Sequence, residues 1–317
     1  MNISRVVVVS LLAIALAPAL IADGLTQYSQ LFVFGDSLSD TGNISIATAG
    51  LFPGPNYADG RFTDGPNTTP PTHGPQGVWV DQLATKLGIA DPQPFLALTG
   101  GSNYAFGGAQ TGSNGLYYIG DQLKYFASSN TTVDPNALIA IWGGANDLFD
   151  GLHNPTQAAD SLYSDIKTLA AAGGRTFLWP NLPPLGNTPR AMMNGNAAQL
   201  TAETLAFNNE WLADVASLKA AGIDVVGVDV FSLFGDIANH PDRYGFTNLT
   251  APAQGLAGVN PDQYLFWDMQ HPTTAGHGAV ANLAFQDLSV PEPATYGVVG
   301  LALALLVLRG VRKRVSS

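Results

Sequence analysis

The stretch Leu31-Phe32-Val33-Phe34-Gly35-Asp36-Ser37-Leu38-Ser39-Asp40 decides how this sequence is read. Four apolar residues in a row, closed by Gly-Asp, suit a short strand buried on both faces of a sheet. The polar residues that follow then lie at the carboxyl end of that strand. In an open α/β sheet this is where ligands bind. Ser37 can be placed there on a tight turn that Gly35 permits, with its hydroxyl exposed. An equally direct reading makes Asp36 and Ser37 caps for a following helix, because both residue types accept backbone N–H groups at such junctions. The pattern is not the G-x-S-x-G elbow, since Ser39 stands where that motif has glycine.

Runs of the same kind recur at Ala137 to Trp142, Arg175 to Trp179 and Ile223 to Val230. Helical periodicity lies between them. Val78 to Leu87 repeats apolar residues at Val78, Leu83 and Leu87. Gln157 to Ala172 places Ala158, Leu162, Ile166 and Leu169 on one face. The longest helix is expected from about Ala197 to Ala221, with Leu205, Leu212 and Leu218 inward and Gly222 closing it. Thr274 to Leu288 is the last. Strands alternating with helices imply a parallel sheet covered on both faces. The expected fold is therefore a three-layer α/β/α, flavodoxin-like domain with about five parallel strands. Segment 40–75, rich in Gly, Pro, Asn and Thr, reads as a long surface loop, and 239–263 as a second irregular stretch.

Chemistry concentrates at the strand ends. A serine hydroxyl is a weak nucleophile and needs a base beside it. Asp268-Met269-Gln270-His271 offers one. Because the two are three positions apart, one loop lets the Asp268 carboxylate reach His271 Nδ1–H and leaves Nε2 free to take a proton. Standing alone, His271 reads equally as a loop histidine and Asp268 as a cap. His73, His153, His240 and His277 have no carboxylate three residues upstream, and His277 falls inside the last helix as a structural or solvated residue. Two glycine-rich pieces, Asn103 to Ala109 and Gly143-Gly144-Ala145-Asn146-Asp147, can present N–H donors to a developing oxyanion. Singly, each is also an ordinary turn.

Together and in order, these pieces resemble the GDSL, or SGNH, hydrolase family over about residues 30–288. The resemblance rests on GDSLSDTGN at 35–43, GRFTDGP at 60–66, VWVDQLATKLG at 78–88, NYAFGGAQTG at 103–112, GGAND at 143–147 and YLFWDMQHPTTAGH at 264–277. GRFTDG and FWDMQHPT are similar to the branch that holds plant lipases and thermolabile haemolysins. The resemblance implies Ser37 as nucleophile, His271 as base and Asp268 as its partner. It also implies an oxyanion hole from the N–H of Ser37, the N–H of Gly108 in preference to Gly107, and the amide of Asn146. The implied reaction is hydrolysis of a carboxylic ester through an acyl-enzyme, with no metal and no organic cofactor. An acyltransferase would use the same residues with an alcohol acceptor. A matrix or binding protein on this fold is the alternative outside enzymology, and it predicts a lost site residue, whereas all five positions are filled.

The two ends are of another kind. Residues 1–22 carry Arg5, an apolar run from Val6 to Ala17 and small residues after it, which is the pattern of a secretory signal peptide. An uncleaved anchor is the alternative, for which the run is short. Residues 291–317 combine Pro291-Glu292-Pro293, an apolar run from Tyr296 to Leu308, and Arg309, Arg312, Lys313 and Arg314. This resembles the PEP-CTERM sorting signal of Gram-negative bacteria, which implies an exosortase as processing partner and residence at the cell envelope; a plain C-terminal anchor is the alternative. The body, 23–290, is then the hydrolase domain. The chain of 317 residues has formal charge −11. Five of its 13 cations and only Glu292 of its 24 acids lie in the ends, so the body is near −15. Such a surface disfavours nucleic acid and anionic membranes as partners and does not identify a substrate; the family resemblance implies a small-molecule, lipid or acylated-polysaccharide ester. The sorting tail tilts that choice toward a polymer or envelope ester. With no cysteine, thiol chemistry is excluded and the exported fold is held by its core.

Overall fold

A computed structural model describes residues 28–64, 77–113, 115–129, 132–151 and 154–289. The expected signal peptide and sorting tail lie outside the described residues, as do His73 and His153. In chain order the elements are β1 (Leu31–Gly35), α1 (Asn43–Ala47), α2 (Trp79–Leu87), α3 (Ile119–Ser129), β2 (Leu138–Trp142), α4 (Ala145–Asp150), α5 (Pro155–Ala171), β3 (Thr176–Pro180), α6 (Pro189–Asn194), α7 (Ala197–Ala220), β4 (Asp224–Val228), α8 (Val230–Asn239), β5 (Asn248–Pro252), β6 (Tyr264–Phe266) and α9 (Thr274–Ser289).

β1 to β4 form one parallel sheet in the order β1-β2-β3-β4, and β5 and β6 pair separately. The main sheet thus has four regular strands. A further segment runs beside the free edge of β1: Val33 N–H donates to Ser102 O (3.0 Å), Tyr104 N–H to Val33 O (2.7 Å) and Phe106 N–H to Gly35 O (3.1 Å). Only Val33 and Asn103 form a bridge there, because the segment swings away into Gly107 and Gly108. Counting it as the second strand gives the order 2-1-3-4-5, the flavodoxin-like order.

Side chains alternate across the sheet. Phe32, Phe34, Ile139, Ile141, Phe177, Trp179 and Val225 share one cluster with residues of α3, α5 and α7. On the opposite face Trp142 meets Trp79 of α2 edge-on at 5.5 Å, and Gln82 of α2 ties to Thr274 O at the start of α9. Helices therefore cover both faces, which is why the strands are continuous apolar runs. Residues 27–285 form one compact unit. Among the described residues no helix is long and apolar enough to cross a membrane.

α7 packs by a different face from the one its leucines suggest. Leu205 and Leu212 are exposed, and Leu200, Thr204, Phe207, Trp211, Val215 and Leu218 are buried. At about 100° per residue, Leu218 lies about 240° round the helix from Leu212, so the two cannot share a stripe. The buried set, at spacings of three and four, centres on Phe207 and Trp211, each worth roughly 2–3 kcal/mol on burial. The segment beginning at residue 40 is also less superficial than its composition implies. Leu51 and Phe52 are exposed, yet Asp40, Thr41, Asn43, Thr63 and Asp64 are fully enclosed.

Candidate active site

Ser37 follows β1 on a turn that depends on Gly35: a Cβ there would stand 2.3 Å from Trp142 O. The capping work at this junction falls to aspartates. Asp36 Oδ1 takes the N–H of Leu38 (2.9 Å). Asp40 takes those of Gly42, Asn43 and Ile44 at the start of α1. Ser39 Oγ accepts the indole N–H of Trp79 at 3.0 Å. The hydroxyl of Ser37 is spent on none of this and lies 2.8 Å from His271 Nε2.

His271 and Asp268 occupy the loop between β6 and α9. His271 Nδ1 is 2.6 Å from Asp268 Oδ2, while Asp268 Oδ1 accepts the N–H groups of Gln270 (2.8 Å) and His271 (2.7 Å). Burial raises the Asp268 pKa, but the His271 imidazole and these donors outweigh it and hold the carboxyl well below its usual range. Tyr57 adds a fourth donor, its hydroxyl 2.7 Å from Oδ2. Gln270 Nε2 lies 3.4 Å from His271 Nε2, and its Oε1 is held by Arg190 at 2.6 Å. No sequence signal marked Tyr57, which is 211 residues from its partner.

GRFTDG turns out to build rather than react. Thr63 Oγ1 donates to Pro272 O (3.1 Å), and Asp64 Oδ1 accepts the Thr274 N–H (2.6 Å), so this segment fixes the histidine loop and the first turn of α9. Asn103 likewise binds Ser39 O through its amide (2.7 Å), joining the serine turn to the segment beside β1. His277 is buried. Its Nδ1 accepts the Trp79 N–H at 3.3 Å, and burial, with the nearby His271 second, depresses its pKa to about 3.

Asn146 lies in the first turn of α4, after the carboxyl end of β2, and its Nδ2 donates to Ala109 O at 2.8 Å. That bond places the amide against the Gly107-Gly108 turn. Of the two glycines, Gly107 gives its N–H to Asp40 Oδ2 (2.8 Å) and presses on the Phe62 ring. Gly108, with φ +81°, has its Cβ direction open and its N–H uncommitted among the described residues. Asp36, buried beside the serine, has a pKa pushed up by burial to about 7. A narrow cleft opens on Ser37, Asn146 and His271, walled by Trp142, Phe149, Leu185, Phe234 and Phe266. Among the described residues, the acids close enough to share a cation are Asp160, Glu210 and Asp214 on α5 and α7, and none belongs to this cleft.

Residues 31–284 match the family model of GDSL-like lipase/acylhydrolase. The thermolabile hemolysin of Vibrio parahaemolyticus is 26% identical over 80% of this chain and 62% of its own length, so the chain spans under two thirds of that relative. A GDSL esterase/lipase of Arabidopsis thaliana is 26% identical over 80% of this chain and 86% of its own. A lipolytic G-D-S-L family protein from Veillonella parvula, known by crystal structure, superposes with a TM-score of 0.48 at 15% identity, covering 81% of this chain and 97% of that one.

Proposed function

We propose that this chain, which belongs to the GDSL-like lipase/acylhydrolase family and is accordingly a carboxylic ester hydrolase, is an exported serine enzyme whose nucleophile is Ser37. The observation that carries the reading is the unbroken chain Ser37 Oγ, His271 Nε2, His271 Nδ1, Asp268 Oδ2, with steps of 2.8 and 2.6 Å. His271 takes the serine proton as Oγ attacks the ester carbonyl. The same imidazole, now protonated, hands that proton to the departing alcohol. Water then repeats the attack on the acyl-enzyme and returns Ser37 to its starting state. Asp268 keeps the imidazole in the tautomer that has Nε2 free and stabilises the imidazolium. The carbonyl oxygen gains charge during both attacks, and the N–H groups of Ser37 and Gly108 with the Asn146 amide are the donors assigned to it.

The cleft walls are aromatic and aliphatic, which favours an apolar acyl chain over acetate as the group held against Ser37. For export the support is the pattern of residues 1–22 and 291–317. The family and substrate class are tested together on the full-length protein with p-nitrophenyl esters from acetate to dodecanoate and with acetylated polysaccharide. A fluorophosphonate should label Ser37 and leave Ser39 untouched, and Ser37→Ala should lower kcat at least about 10³-fold in a folded protein. Labelling of Ser39 with Ser37 unmodified would overturn the assignment. Preference for acetylated polymer over longer acyl esters would overturn the substrate class.

A further inference from the structure

We infer that Tyr57 is a positioning residue for this site, setting through its hydrogen bond to Asp268 how strongly His271 holds a proton. The inference rests on the triad reading and extends it to a residue outside the three. Asp268 Oδ2 is shared: His271 Nδ1 lies 2.6 Å from it and the Tyr57 hydroxyl 2.7 Å. Oδ1 is already occupied by two backbone N–H groups. Tyr57 therefore fills the last acceptor direction of a carboxylate that is otherwise saturated.

The phenol is not there by accident of packing alone. Its ring meets Phe62 at 6.0 Å and Trp267 at 6.4 Å, both edge-on. Phe62 in turn lies 4.9 Å from the His271 ring. Tyr57, Phe62 and Trp267 thus form a wall that fixes where the hydroxyl points and shields the Asp268–His271 pair. Tyr57 is itself half-buried, and burial together with the adjacent Asp268 charge pushes its pKa up. It is therefore a protonated donor throughout the acid limb.

The electrostatic consequence has a definite sign. A donor to Oδ2 draws negative charge away from the oxygen that faces His271 Nδ1. Imidazolium is then stabilised less, and the base releases its proton more readily. Without the hydroxyl, the carboxylate leans its full charge on the imidazole and holds the proton to higher pH. The other ionisable groups facing the pair are Asp36 after β1 and His277 on α9, and Arg190 reaches it through Gln270. Tyr57→Phe alters none of them.

The test is the pH profile of kcat/KM for full-length Tyr57→Phe, which keeps the ring in its wall. The acid limb should move up by about half a pH unit or more, with any accompanying change carried by kcat and KM within about twofold. Replacing Tyr57 with 3,5-difluorotyrosine, a stronger donor, should move the limb the opposite way. In an Asp268→Asn background, adding Tyr57→Phe should change kcat by less than about twofold, since the partner through which it acts is altered. Loss of activity with a lowered Tm and an unmoved acid limb would make Tyr57 a packing residue and overturn the inference. So would a profile identical to wild type. Ser37→Ala, run beside it, separates the two readings. An active Ser37→Ala sinks the triad itself, whereas an inactive one with an indifferent Tyr57→Phe sinks only the positioning role.

Discussion

The carboxylate of Asp40 accepts the backbone N–H of Gly107 across 2.8 Å, joining the turn after β1 to the glycine pair on the other side of the nucleophile. This one bond separates the two candidate donors. Gly107 is committed, whereas the N–H next to it, on Gly108, has no acceptor among the described residues. Asp40 carries four backbone N–H groups in all, from Gly42, Asn43, Ile44 and Gly107.

Asp40→Ala should therefore be costly, leaving buried N–H groups without an acceptor at roughly 1–3 kcal/mol each before relaxation. Asp40→Asn keeps one oxygen and should lose less. Thermal melts rank the two, and kcat should fall in both, because the glycine turn loses its tether. Equal Tm values for Asp40→Ala and the parent would show that Asp40 does not carry this junction.

Asn146 gives one amide hydrogen to Ala109 O at 2.8 Å, and the other is the one proposed for the oxyanion. Asn146→Ala should lower kcat by about 10²–10³, or about 3–4 kcal/mol, with KM nearly unchanged. Asn146→Asp should be worse, since a carboxylate would oppose both Ala109 O and the developing charge. If the effect lies in KM alone, Asn146 binds substrate and Ser37 and Gly108 are the donors.

His277 makes a prediction about stability. Its folded pKa of about 3 lies below the ordinary value of 6.5, so the folded protein binds this proton less readily than the unfolded chain. The stability it contributes is complete above about pH 6.5 and is lost as pH falls toward 3, at no more than about 1.4 kcal/mol per pH unit. The gap in Tm between wild type and His277→Asn, which keeps an acceptor for Trp79, should shrink from pH 7 to pH 4.5. Taking the difference removes the opposing trend of Asp36 and Asp40, whose raised values favour the folded state at low pH. A gap that does not change with pH would place the pH response elsewhere.

Deleting 291–317 should leave esterase activity intact, because no residue assigned to the reaction lies there. The same deletion should release the protein from the envelope into periplasm or medium. Cell fractionation with an ester assay reads both. Continued retention would assign attachment to the body.

The four strands and the main helices were legible because parallel strands buried on both faces write unbroken apolar runs. That Ser37, Asp268 and His271 could meet was legible because each sits in a short local motif at the end of a strand. What stayed hidden depends on distant partners. Nothing near Tyr57 points to Asp268, and nothing in GRFTDG says that Thr63 and Asp64 hold the loop before α9. The segment at 102–106 escaped as a strand because its pairing is a single bridge ending in glycines. The inward face of α7 was misread because leucines drew notice away from Phe207 and Trp211.

The pairing of Ser37 with His271 spans 234 positions along the chain. During synthesis the serine emerges first and its base last, with the Asp64 contact to Thr274 closing 210 residues on. Until that final loop docks, Ser37 is an ordinary alcohol with no proton acceptor beside it. Loop closure over such separations is among the slower events of folding. A chain moved across a membrane unfolded is thus chemically silent throughout its passage, and its chemistry switches on only where folding is completed. The order of residues along the polymer by itself supplies that delay.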